Sequence, residues 1–448
     1  MNLFLLFFKQ CVRSKEVVIS LMLVFSLGLL SIGIGYNHLA LQQDEIAEVA
    51  QHQKEHFARQ VELHNEDLGL LLYYAKFAFI HSLSPLGGLS VGQSDLNPTV
   101  KQLTIKTFEA QRFDTDLINP SSLHAGNLDL AFVILFLFPL LVIVLTFNLI
   151  AEETESGTWK LVAVQAKSTF GFVVFKLLVR MCLLYLLLFS LMLVAKLALQ
   201  IPMDEYFLMV IFLSCLYLLF WFVLSFFVIC FKQSSGYNAL ILLSTWLVLL
   251  LLLPAGVNAY ITGKYPIPEA MSTAIAQRDG YHVKWDTDKR ETIEKFYQHY
   301  PQFVSFGYPV EGFNWLWYYA MQQMGDDDSN AEQMALDEKI RLREKSSALI
   351  SSLIPNLHFM LTLNQLAGTS MQQNMDYLNE AEAYHERLRL FFYPKVFEEL
   401  HADTIDWSQI KPVFHLAEIP VKPLDRSLPL ILAILLVGII TLPYARNL

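Results

Sequence analysis

Cysteine is nearly missing from this chain of 448 residues, which has four: Cys11, Cys182, Cys215 and Cys230. All four lie in or beside long apolar runs, so the polar stretches hold no disulfide, and no Cys-Cys metal spacing occurs. Charge is scarce too, at 17% of residues against 54% hydrophobic. The apolar runs carry no Asp, Glu or His at mid-depth, which argues against the relay of a proton-coupled carrier and against an intramembrane aspartyl or metalloprotease. No G-x-x-x-x-G-K-[ST] loop occurs to cradle a nucleotide's phosphates. A basic surface is also wanting: the net charge is −10, which argues against nucleic acid as a partner.

What the chain does have is hydrophobic blocks. About 20 apolar residues cross a hydrocarbon core of roughly 30 Å, and six runs qualify: 17–35, 129–150, 172–199, 206–231, 239–258 and 428–445. The first lacks a small-residue cleavage site and continues into a polar helical stretch, so it reads as a span and not as a cleaved signal. Lys9, Arg13 and Lys15 precede the first span, Lys160 and Lys167 follow the second, Lys232 the fourth and Arg446 the last. Cations mark cytoplasmic ends. Both termini are therefore expected inside, with residues 36–128 and 259–427 outside. Those two segments together are more acidic than the whole chain, leaving the remainder positive.

The expected fold is an α-helical integral membrane protein, with six transmembrane helices and two extracytoplasmic insertions, the first mixed α/β and the second mainly α-helical. Residues 1–16 suit a helix lying in the inner interface, or else a simple extension of the first span. From Tyr36 to about Ser82 the apolar residues recur at helical spacing, predicting a stalk. Pro85, Gly87, Gly88, Gly92 and Pro98 then break the chain before VKQLTIKTF (100–108), an alternating run that predicts a strand. In the second insertion FNWLWYYAMQQM (313–324) predicts a buried aromatic face. The acids Asp326–Asp328 with Ser329 read as the start of a long helix, and NMDYLNEAEAYHERLRLFF (374–392) predicts another.

Several short motifs fail on context. Gly88 to Gly92 matches the nucleophile elbow G-x-S-x-G without the strand series that elbow needs. Leu89 to Gln93 imitates a signature loop of ATPases in a chain that has no phosphate-binding loop. His385 opens an H-E-x-x-H pattern in which Arg389 replaces the second ligand. His52 and His56, at i and i+4 with His64 two turns on, are candidate metal ligands; with no Cys or carboxylate completing a set, they read better as a solvated polar face. The charges inside the spans are Lys176, Arg180 and Lys196. The lysines can snorkel to opposite interfaces, whereas Arg180 lies deeper and must face protein or water. Pro139 and Pro254 can kink their spans.

The turn EETESGTWKL (152–161) carries the strongest functional signal. Three acids at an inner membrane surface are repelled by anionic lipid, which favours a protein partner. Ser156 or Thr158 could cap a short helix, Gly157 permits the turn, and Trp159 with Leu161 offers an apolar knob. The competing reading is a solvated turn with tryptophan at the lipid interface.

The stretch DLAFVILFLFPLLVIVLTFNLIAEETESGTWKLVAVQAKSTFGFVVFKLLVR (129–180) resembles the E-x-E-x-G-T core of ABC-2-type transporter permeases, with Glu153, Glu155, Gly157, Thr158, Leu161 and Lys176 at the matching positions and Ala166 where proline is usual. LSPLGGLSVGQSDLNP, GYNALILLSTWLVLLLLLPAGVNA and LNQLAGTS resemble the DUF3526 subgroup with large extracytoplasmic insertions, related to permeases associated with multicopper-enzyme maturation. The resemblance implies a permease subunit in a bacterial cytoplasmic (inner) membrane, without catalysis or cofactor of its own. Residues 151–171 would form its coupling segment. Glu152, Glu153, Glu155, Gly157, Thr158, Trp159 and Leu161 would meet a separate ABC ATPase dimer that binds ATP and Mg. A second permease subunit, identical or homologous, would complete the pathway for export or for ATP-driven motion of the outer domains. A reading from another class is a non-transporting membrane scaffold or sensor whose outer domains bind a periplasmic partner.

Overall fold

The computed structural model describes residues 3–82, 84–112, 128–166, 168–267, 275, 283, 285–286, 288–309, 312–416 and 422–446. Lys167, one of the cations used for orientation, lies outside them. Among the described residues, six helices are long and apolar enough to cross a membrane: Lys15–His64, Leu130–Glu155, Thr169–Ala198, Glu205–Ile229, Ser235–Lys264 and Pro423–Ala445. They are called spans 1 to 6 below.

Ser14 separates α1 (Leu3–Arg13) from α2 (Lys15–His64), so the N-terminal segment is a helix of its own. Its Phe7 packs on Phe172 and Phe175 of span 3, with ring centroids 5.3 and 6.2 Å apart. At 1.5 Å per residue, α2 is about 75 Å long, far more than a bilayer core of roughly 30 Å needs. The excess is the stalk. The stalk is shorter than the periodicity suggests: Asp67 accepts from the Leu70 amide and caps a new helix, α3 (Leu68–Tyr74), and Phe77–Ser82 is the strand β1. The predicted strand at 100–108 is cut to β2 (Val100–Leu103), because the side chain of Gln111 takes the Thr104 amide and ends the ladder.

Spans 2 and 4 form the centre of the bundle. Each of the two kinking prolines follows a widened π turn, Val133–Leu137 before Pro139 and Val248–Leu252 before Pro254. Proline removes the amide that would bond four residues back. The freed carbonyl of Leu135 accepts from the Tyr217 hydroxyl at 2.8 Å, and the neighbouring Phe136 carbonyl accepts from the Trp246 indole at 3.1 Å.

The two insertions build one body. Their sheet has the order β2-β1-β3, with β1 antiparallel to β2 and parallel to β3 (Val413–Leu416), a strand supplied by the otherwise helical second insertion. A shared core joins Phe57, Leu71 and Phe77 of the first insertion to Phe296, Tyr319 and Phe392 of the second. In chain order, the second supplies α4 (Lys289–His299), α5 (Trp315–Ser351), α6 (Pro355–Ala367) and α7 (Met371–Phe397). The acids near Ser329 start no helix, since α5 runs through them. Asp326 instead accepts from the Phe108 and Glu109 amides, and Ser329 bonds back to the Gly325 carbonyl. The aromatic face of 313–324 is buried as expected, through Leu316, Trp317, Tyr319 and Met321.

Helix α6 leaves this body and enters the core of the helix bundle, where Phe359, Leu363, Leu366 and Ala367 are buried and the helix packs chiefly on spans 4 and 6. Phe359 stacks on Tyr217 with centroids 4.4 Å apart and planes 2° from parallel.

Candidate functional site

The turn between spans 2 and 3 is built by a glycine. Span 2 ends at Glu155, Gly157 takes a left-handed φ of 75°, and a short helix Trp159–Gln165 follows. No atom stands within 4 Å of a Cβ built at Gly157, so conformation and not space calls for glycine there. Neither candidate hydroxyl caps the helix that follows. Thr158 sits at the cap position without a capping bond, and its hydroxyl donates to the Glu153 carbonyl and carboxylate.

The acids have different tasks. Glu153 is 20% exposed and forms an ion pair of 3.2 Å with Lys176, which is 2% exposed and also donates to the Leu149 carbonyl. Lys176 therefore turns inward to the second span and does not snorkel: its buried ammonium is paired with a carboxylate and hydrogen-bonded to a carbonyl, as a buried charge requires. Glu155 accepts from the amide and hydroxyl of Ser235 at 2.8 and 2.9 Å, which ties the turn to the first residue of span 5. An acid at a helix N-terminus also matches its dipole. Glu152 is exposed.

Arg180 is buried, as its depth requires, and donates to the Leu145 carbonyl and to Asn148 Oδ1. Asn238 of span 5 donates to the Phe147 carbonyl at 3.1 Å. The carbonyls that close span 2 are thus held by side chains of spans 3 and 5. Sequence reading missed Ser235, Asn148 and Asn238; the one available signal was the polar SSGYN opening an apolar run.

Trp159 is half-buried against Leu149, Ile150, Val173 and Ile229, so it anchors the short helix to the bundle instead of forming the outward knob. That role falls to Leu161, 62% exposed, and Val164, 86% exposed. The helix buries none of its residues.

At the opposite end, Gly88 to Gly92 is structural. Ser90 donates its hydroxyl to Asn364 Oδ1 at 2.6 Å and accepts at its carbonyl from Thr369, both at the end of α6. A Cβ on Gly35 would fall 1.9 Å from the Gly88 carbonyl oxygen, so span 1 and this turn touch backbone to backbone. His385 is buried against Phe108, and burial beside Arg389 holds its imidazole well below the ordinary histidine range. Arg389 donates to the Lys106 carbonyl at 2.7 Å, which clamps the first insertion to the second, and is held by Asp326 of α5, also at 2.7 Å. His52 is exposed with Glu48 3.8 Å away, while His56 is engaged with the Tyr74 carbonyl and the Lys76 amide. Among the described residues, no group of three or more His, Cys, Asp and Glu is placed to hold a metal.

Residues 270–416 match the family described as a domain of unknown function, DUF3526. The matched stretch covers α4 to α7 and β3, the second insertion of the outer body, and stops short of the turn. No curated protein matches the chain, and no solved structure does.

Proposed function

We propose that this chain is the membrane subunit of an ABC-2-type transporter, and that its turn at 152–165 receives force from a separate ATPase. The observation that carries this reading is the wiring of the turn. A helix with no buried residue presents Leu161 and Val164 to solvent, while Glu153 and Glu155 fix its base to spans 3 and 5. A push on such a helix moves three spans together, which a merely solvated turn would not require. In this reading ATP and Mg belong to the partner, and two such membrane chains would form the working unit in a bacterial inner membrane with both termini inside.

Of the two outputs such a subunit can have, export or motion of the outer body, the packing of α6 favours motion. Its apolar face packs on spans 4 and 6 at the end of the bundle away from the turn, so displacement of those spans moves the outer body with them. The test is Leu161→Asp with Val164→Asp. Both side chains are exposed, so the variant is expected to fold and insert normally yet to lose an ATPase that co-purifies with the wild type. Equal recovery of the ATPase would remove the turn from the contact.

A further inference from the structure

His81 and His415 are register partners on adjacent parallel strands, β1 and β3, and their side chains share one face of the sheet. Their ring centroids are 6.0 Å apart. Tyr377 of α7 packs on both, at 4.8 and 5.9 Å. His81 is 7% exposed and His415 is half-buried, and the Nε2 atom of each is buried without a hydrogen-bond partner. Two such orphaned nitrogens in neighbouring rings run against the general rule that buried polar atoms are paired.

We infer that His81 and His415 form the protein half of a site for a zinc-type divalent cation, held through their Nε2 lone pairs. A Zn–N bond of about 2.0–2.1 Å on each side, plus the ring radii, separates two ligating imidazoles by about 5–6.5 Å between centroids. The observed spacing falls in that range. With the proton on Nδ1, each unpartnered Nε2 presents a lone pair that can coordinate. The negative charges of Asp376 and Glu380 act on His415 from α7, which favours a cation there and not an anion. His81 also lines a polar cavity of about 10 Å³ with Gln42, Ser94, Thr99 and Asn374, space for a single water beside the site. Two protein ligands leave a tetrahedral ion with positions for solvent. Such an ion is exchangeable. This site lies in the outer body and does not rest on the transporter reading.

The experiment uses full-length protein in detergent with any affinity tag removed, dialysed against Zn2+ and analysed for bound metal. The expected result is one Zn2+ per chain at micromolar free metal, and zinc-edge absorption showing two imidazoles. His415→Gln should weaken binding at least tenfold, His415→Cys, which keeps a ligand, should retain it, and His52→Ala with His56→Ala should leave it unchanged. Zinc no higher in the wild type than in His415→Gln would overturn the site. Loss of zinc in the His52/His56 variant instead would overturn it equally.

Discussion

Glu153 and Lys176 show how one residue pair reads differently from sequence and from structure. Their types and spacing were legible; their contact was not, because nothing in a sequence says that a lysine of one span turns toward the end of the previous one. With Lys176 2% exposed, removing one partner strands a charge, at a cost of about 3–5 kcal/mol. Thermal unfolding in detergent should therefore show Lys176→Met well below the wild type, and Lys176→Met with Glu153→Gln closer to it than either single change. Glu109 supplies a prediction in pH. Burial raises its carboxyl to about 8 despite Arg112 at 3.7 Å, which already pairs with Asp337 and Glu382 at 2.8 Å each. The fold thus keeps a proton that the unfolded chain has lost, so stability falls as pH rises from about 4.5 to about 8 and levels off above that. Melting temperatures across that window should decline less in Glu109→Gln than in the wild type. An equal slope in both would show that other groups set the pH dependence.

At the scale of elements, the six long apolar runs read from the sequence each fall on one of the six helices, among the described residues, that are long and apolar enough to cross a membrane. Boundaries in the outer body were less legible. Asp326 to Ser329 have the composition of a helix start, but tertiary partners occupy them: Asp326 is taken by the Phe108 and Glu109 amides and by Arg389. The stalk gave way to β1 because Phe77–Ser82 finds strands on both sides, one of them more than 300 residues away in the chain. Two contacts carry predictions here. Gly35→Ala places a methyl against the Gly88 backbone, which cannot swing aside as a side chain would, so span 1 should undock and the yield of folded protein should drop sharply. Tyr217→Phe leaves the Leu135 carbonyl without its partner in the middle of the bundle, costing about 1–3 kcal/mol. A melting temperature equal to the wild type would show that another donor or a water replaces it.

For the whole molecule, the sequence separated two insertions, and the structure joins them through one sheet, one core and the Arg389 bond to the Lys106 carbonyl. That union was hidden because four of the six spans lie between them in the chain. The consequence is mechanical. A body built from both insertions rests on the outer end of the bundle through α6 and the Gly35–Gly88 contact. The turn at 152–165 is fastened to spans 2, 3 and 5 at the other end. The account's central claim is that an ATPase acts on that turn. The most direct measurement is to purify the chain from its own membranes in mild detergent, beside Leu161→Asp with Val164→Asp, and to identify the companions of each by mass spectrometry. The account predicts an ATPase with a phosphate-binding loop alongside the wild type and its loss from the variant. No ATPase under conditions that preserve a control transporter, or the same ATPase with both chains, would contradict it.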